Sequence, residues 1–258
     1  MKVFIVHAHP EPRSFNAALT RRAAEVLGAE GHTVEVSDLY AMRFKAVADA
    51  DDFTGDHADP DYLRIDHEQT HAHERGTIAA DIRAEQAKLH QADLLILQFP
   101  MWWFGMPAIL KGWADRVFTR GFAYLPGRKY DTGLMRGKLA MVSVTTGTSA
   151  ETYAPDGIDG ALLDVLWPVH NGLLRYSGFD ILTPFVTYMP RRLSARERED
   201  ALEQYETRLR DLSSVSRLFF HPAEDYGPAE RLLPGIKARS GFQHNEVADE
   251  DSLRGHQS

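Results

Sequence analysis

Leu94-Leu95-Ile96-Leu97-Gln98-Phe99 runs directly into Pro100-Met101-Trp102-Trp103-Phe104-Gly105-Met106-Pro107. The first half reads as an apolar strand of the kind that occupies a parallel sheet covered on both faces. The second half is a loop at that strand's carboxyl end, and Pro107 stands where a first helical position falls, opening a helix over 108–117. Outward from this stretch the same alternation recurs. Residues 2–7 are β-branched and apolar and predict a first strand, followed by a loop with Pro10 and Pro12. Residues 17–30 are helix formers with Leu19, Ala23, Val26 and Leu27 spaced along one face, Ser14 or Asn16 as cap and Gly31 as stop. A second strand is expected over 33–39, a helix over 78–91, a strand over 139–144, a long apolar helix over 158–176, a fifth strand over 181–186 and a helix over 195–212. Five strands alternating with helices predict an α/β, doubly wound parallel sheet whose ligands sit beyond the carboxyl ends of the strands.

Composition narrows the function. The chain has 258 residues, of which 43% are hydrophobic, and its net charge is −8. An acidic surface repels nucleic acid and anionic lipid, so neither is an expected partner. The absence of cysteine excludes disulfides, catalytic thiols and iron–sulfur clusters. No apolar run reaches the roughly 18 residues of a membrane span, and the amino terminus turns polar too soon for a leader, so a cytoplasmic protein that is not membrane-embedded is expected. Residues 1–212 form the expected domain and 213–258 an irregular extension, frayed over 246–251.

The loops after strands one, three and four carry the expected site. Neither a dinucleotide nor a triphosphate glycine cradle is present. His9 to Asn16 gathers imidazole, hydroxyl, amide and a helix amino terminus, which suits phosphate, although Ser14 and Asn16 are also ordinary caps. Two Trp and a Phe at the end of strand three suit a planar ring, although core packing also uses aromatics. Thr145-Thr146-Gly147-Thr148-Ser149 offers hydroxyls and a close approach to the ring's polar edge, and Tyr153 follows. Arg128 and Lys129, with Arg120, are expected to form a positive rim that draws an anionic dinucleotide. One further motif competes. His67-Glu68-Gln69-Thr70-His71 matches the zinc-hydrolase pattern HExxH, but the stretch lacks an apolar helix face and Thr77 occupies the downstream ligand position. It is read as part of a solvated, His-rich loop over 49–76 with no metal.

With these segments in view, the chain resembles the two-electron NAD(P)H:quinone reductases of the DT-diaphorase type. The resemblance rests on HPEPRSFN (9–16), SDLYAMRF (37–44), QFPMWWFGMPAILKGWADRVF (98–118), GFAY (121–124), TTGTSAETY (145–153) and LWPVHNGLLRYSGF (166–179). It implies a flavodoxin-like five-stranded parallel sheet, bound FAD, NADH or NADPH as co-substrate, and a quinone or other small aromatic acceptor reduced by ping-pong hydride transfer. It further implies that His9, Phe15 and Asn16 meet the pyrophosphate and that Pro100, Met101, Trp102, Trp103 and Phe104 bed the isoalloxazine. Thr145, Thr146, Gly147 and the catalytic Tyr153 would line its polar edge, with Arg198 at the adenine. Phe104, Tyr124 and Tyr176 would hold nicotinamide or quinone, the two tyrosines coming from the second subunit of a homodimer with shared sites. Where mammalian members carry a His six residues after the Tyr, this chain has Asp159. Trp102 and Arg64 stand where those members have Gln, and Pro126 replaces a second gating Tyr. The alternative within the same fold is a flavin-bearing regulatory subunit of a membrane transporter.

Overall fold

A computed structural model describes residues 1–239. Strands β1 (Lys2–His7), β2 (Thr33–Asp38), β3 (Leu94–Pro100), β4 (Leu139–Thr146) and β5 (Asp180–Ile181) form a parallel sheet in the order β2-β1-β3-β4-β5. A sixth strand, β6 (Phe185–Tyr188), also pairs with β4. β1 alternates its side chains: Val3 and Ile5 enter one core with Leu19, Leu27 and Tyr205, while Phe4 and Val6 enter the other with Leu110, Trp113 and Val117. The first core lies under α1 (Phe15–Ala29) and α6 (Ala195–Arg210), the second under α4 (Ala108–Val117). The chain is thus doubly wound. Strand order reverses between β1 and β3, so the crevice at their carboxyl ends is where a ligand is expected.

The expected fifth strand is divided. Its first part pairs with Leu139 and Ala140 and its second with Ser143 to Thr146. Pro184 stands in the gap, with no N–H to give to the ladder. There the extension joins in: the Thr183 amide donates to the Ser216 carbonyl at 2.8 Å and the Leu218 amide to Ile181 at 2.8 Å. Residues 216–218 therefore pair with the sheet edge, while the stretch 246–251 lies outside the described residues.

Two further expectations are corrected. The long helix over 158–176 is instead a turn, a short α5 (Leu162–Val165) and a π-helical stretch, Pro168–Arg175. Pro168 lacks the amide a continuous α-helix needs. The solvated loop over 49–76 contains α2 (Ile65–Arg75), which holds the whole HExxH motif and precedes α3 (Ala80–Gln91). Acidic Asp66 and Glu68 in its first turn, basic His73 and Arg75 in its last, and the left-handed Gly76 all favour a helix there. It escapes hydrophobic periodicity because its buried face is Glu68, Gln69 and Ala72.

Candidate active site

The loops at the carboxyl ends of β1, β3 and β4 rest on a buried chain of amides. Gln98 of β3 donates to the Asn16 side-chain oxygen at 2.8 Å, Asn16 donates to the Thr145 hydroxyl at 2.9 Å, and the Met101 amide donates to the Thr145 carbonyl at 2.8 Å. Gln98 contradicts the reading of β3 as wholly apolar: it is fully buried and sits there to join loops one and three. This role leaves no sequence signal beyond a lone polar residue in an apolar strand. Asn16 and Thr145 are likewise buried and committed to each other. What loop one exposes is the start of α1, where Ser14 accepts from the Ala17 amide. The amides of Phe15 and Asn16 have no acceptor among the described residues and belong to the positive end of the helix. His9 accepts from the Glu11 amide at 3.0 Å, lies 6.2 Å from the Trp102 ring, and is kept neutral by partial burial.

The β3 loop is a two-residue hairpin. Trp102 and Gly105 exchange both backbone hydrogen bonds at 3.1 Å, and the residues between them, Trp103 and Phe104, have φ of 50° and 58°. Such turns normally hold Asn-Gly, because two positive φ angles strain any residue with a Cβ. Here they hold two bulky aromatic side chains, and Trp103 is 98% exposed. Strain and exposed aromatic surface at one point mark a ligand-receiving element, since neither contributes to stability. Pro100 and Met101 are buried beneath it and support it from below.

Opposite stands the β4 loop. Thr146 donates to the Thr148 carbonyl at 2.7 Å, and the Thr148 hydroxyl donates to Asp159 at 2.7 Å. At Gly147 a Cβ would meet nothing within 4 Å, and its φ is not left-handed. Nothing in the chain requires glycine there, so the room it leaves suits an incoming ring. Tyr153 is buried, with its ring 6.5 Å from Phe104 and 6.3 Å from Tyr188, a residue that the sequence analysis did not single out. Burial raises the Tyr153 pKa above the usual phenol value; its hydrogen bond with Thr148 opposes this and the charge of Asp159 adds to it. Hydrogen bonds from Thr152 and Thr148 hold Asp159 below the usual carboxylate range, so at neutral pH it is ionised and faces its own loop.

Other expected residues lie apart. Tyr124 and Tyr176 stack edge-on at 5.5 Å and Tyr130 joins Tyr176 at 5.3 Å, forming a second aromatic cluster. Beside it opens a cavity of about 1440 Å³ lined by Tyr130, Trp167, His170, Arg175, Phe219 and Phe220 among others. Arg198 lies in the first turn of α6 and donates to the Leu193 carbonyl at 2.7 Å. The positive rim is largely neutralised, because Lys129 pairs with Glu230 at 2.8 Å and Arg120 with Asp66 at 2.7 Å. The HExxH motif is also committed elsewhere. Glu68 is buried and accepts from the Ala58 amide at 3.0 Å, while His71 contacts the Asp56 carbonyl at 2.9 Å. Among the described residues no three metal-ligating side chains converge.

Comparison with known proteins fits this geometry. A family model for the flavodoxin-like fold matches residues 1–212. The chain is 45% identical over 212 residues to a ribosyldihydronicotinamide dehydrogenase [quinone] of Pongo abelii, covering 82% of this chain and 91% of that protein. It is 41% identical over 222 residues to NAD(P)H dehydrogenase [quinone] 1 of Cavia porcellus, covering 86% and 81%. A solved structure from Klebsiella pneumoniae described as a quinone reductase superposes with a TM-score of 0.87 at 42% identity, covering 92% of this chain and 97% of the other.

Proposed function

The chain belongs to the NAD(P)H:quinone reductase family of flavodoxin-like proteins, and on that premise we propose that it reduces quinones or similar small aromatic acceptors by two electrons from NAD(P)H at the crevice beside Trp103, Phe104 and Tyr153. It is an oxidoreductase, an NAD(P)H dehydrogenase (quinone). The observation that carries the placement is the strained, solvent-facing Trp103–Phe104 turn opposite an open Gly147 and a hydroxyl-lined loop. A flat aromatic bed on one side and hydrogen-bond donors on the other suit a flavin, which when bound accepts two electrons and a proton as hydride and later passes them on.

The remaining assignments concern what the chain's own residues do. Free amides at the start of α1, with His9 beside them, are suited to a pyrophosphate, and Arg198 on the first turn of α6 to an adenine farther along; together they favour FAD over FMN. Asn16, Thr145, Pro100 and Met101 act through the floor they build. Trp102, Trp103 and Phe104 supply stacking area, and Thr146 and Gly147 border the ring's polar edge. Tyr153 is the catalytic residue, its phenol donating a hydrogen bond to negative charge that develops beside it. Phe104 on one side and Tyr124 and Tyr176 on the other would sandwich nicotinamide and then the acceptor. Within one chain these rings fall in separate clusters, which supports a homodimer in which the tyrosines come from the partner. One bed for two substrates implies that the first product leaves before the acceptor enters. Residues 1–212 are read as the catalytic domain and residues 213–258 as an extension to it.

Purified protein should show two visible flavin bands, release FAD on denaturation, and turn over soluble quinones with parallel initial-rate lines. A colourless protein would overturn the cofactor. Released FMN alone would overturn the Arg198 assignment, and intersecting lines the shared bed. Flavin bands without quinone turnover would return the chain to the regulatory-subunit reading.

A further inference from the structure

The extension is fastened at the sheet edge, through Ser216 and Leu218, and again beside the tyrosine cluster. There Arg175 donates to one oxygen of Asp131 at 2.7 Å and to the His221 carbonyl at 2.9 Å, while the Ala223 amide donates to the other Asp131 oxygen at 2.5 Å. This clasp joins the turn Tyr130–Thr132, the last residue of the π-helical stretch and the extension. Burial works against a charge on Asp131, but the hydrogen bonds from Arg175 and the Ala223 amide hold its carboxyl below the usual range, so the pair is ionic at neutral pH. The ring of Tyr130 is held by the same groups. The Arg175 guanidinium lies over it at 5.7 Å and over Phe220 of the extension at 5.2 Å, and Lys129, which pairs with Glu230 of the extension, also lies over it at 5.7 Å. Tyr130 has φ of 52°, which persists in a residue with a Cβ only where its surroundings fix it. Its ring meets Tyr176 at 5.3 Å, and Tyr176 meets Tyr124 at 5.5 Å.

We propose that Arg175 is a positioning residue that, with Asp131, ties residues 220–223 to Tyr130 and thereby sets where Tyr176 and Tyr124 stand when they hold the acceptor. This rests on the role given to those two tyrosines above and deepens it. The ion pair acts through the rings and does not touch the acceptor. The rival is a clasp that only fastens the extension, with the tyrosines placed by their own packing. Close packing elsewhere gives that rival substance: a Cβ on Gly178 would stand 2.9 Å from the Gly133 backbone, so the two segments also meet without the ion pair. The two differ in one respect, because only the first makes acceptor binding depend on Arg175 and Asp131.

The test uses the full chain as purified and the variants Arg175→Met, Arg175→Lys and Asp131→Asn. Methionine keeps a long apolar stem without donors, lysine restores the charge, and asparagine keeps an acceptor for the Ala223 amide without the charge. Arg175→Met should raise the Michaelis constant for a soluble naphthoquinone about five- to tenfold with turnover at saturation within about twofold, and Arg175→Lys should recover about half of that loss. Asp131→Asn should raise the same constant about two- to fourfold. Amide exchange at Ala223 should quicken in all three, most in Arg175→Met. Faster exchange at Ala223 with an unchanged Michaelis constant would overturn the proposal in favour of simple fastening, and unchanged exchange would overturn the clasp itself. Should Arg175→Met not fold, Arg175→Lys and Asp131→Asn carry the same comparison. A readout without turnover comes from 3-fluorotyrosine labelling, with the Tyr124 resonance identified by Tyr124→Phe. That resonance should be displaced in Asp131→Asn and Arg175→Met and less so in Arg175→Lys. A Tyr124 resonance that stays in place would overturn the proposal whether or not the protein reduces quinone, so failure here and failure of the proposed reaction read differently.

Discussion

The Trp103–Phe104 hairpin and helix α2 invert each other. The hairpin matches no short catalytic pattern, holds two residues at positive φ and leaves Trp103 almost wholly exposed. Helix α2 carries a well-known zinc-hydrolase pattern, yet Glu68 is buried against the Ala58 amide, Gln69 accepts from the Arg120 amide at 3.0 Å and Ala72 packs with Phe53, Ile78 and Ile82. A site needs atoms left over after the fold has satisfied itself. The hairpin has them and α2 does not.

That contrast can be broken by substitutions that separate activity from stability. The largest effect is expected at Tyr153, which faces the hairpin. Tyr153→Phe should slow reduction of the bound chromophore by NAD(P)H about tenfold to a hundredfold, less than a fully enclosed donor because the crevice is open. Stopped-flow absorbance isolates this half-reaction, and an unchanged rate would remove Tyr153 from the chemistry. Next comes Glu68→Ala, which removes a buried carboxylate that accepts from the Ala58 amide and should cost about 1–3 kcal/mol in urea unfolding. Turnover per folded molecule should stay level, and added zinc or chelator should not move it. A catalytic loss without a stability loss would restore the motif to a functional role.

Trp103→Gly sharpens the comparison from the other direction. Glycine relieves the positive φ and should stabilise the chain by up to about 1–2 kcal/mol, while raising the Michaelis constant for the acceptor. Loss of both stability and affinity would mean that Trp103 is structural after all. The smallest effect is expected for Asp159→Asn, which removes charge but keeps an acceptor oxygen for Thr148. It should speed reduction of the chromophore only about two- to threefold. A severe slowing would make Asp159 a working acid, against its low pKa.

The legible parts of the molecule are those in which one physical rule acts alone. Apolar runs placed β1, β3 and β4, because a strand covered on both faces buries most of its side chains in the two cores. Ser14 and Pro107 marked helix starts within two residues of where they lie. Illegible parts are those in which a partner distant in sequence changes the outcome. Pro184 divides the last strand only because β4 offers separate pairing sites before and after it. Gln98 looked like a blemish in an apolar strand until Asn16, 82 positions away, supplied its acceptor. Thr148 was visible as one hydroxyl among several, and only the fold of 154–159 turned Asp159 back toward it.

The amide chain beneath the crevice has a consequence for how the site comes apart. Gln98 donates to Asn16 and Asn16 to Thr145, so each link depends on the orientation of its neighbour: reversing Asn16 sets donor against donor, and reversing Gln98 sets acceptor against acceptor. The floor is therefore cooperative: loops one, three and four fray together or not at all, as one unit with a shared opening free energy. Amide hydrogen exchange should show the three loops leaving protection with a common rate, and a tightly held ligand should dissociate at a pace set by that joint opening.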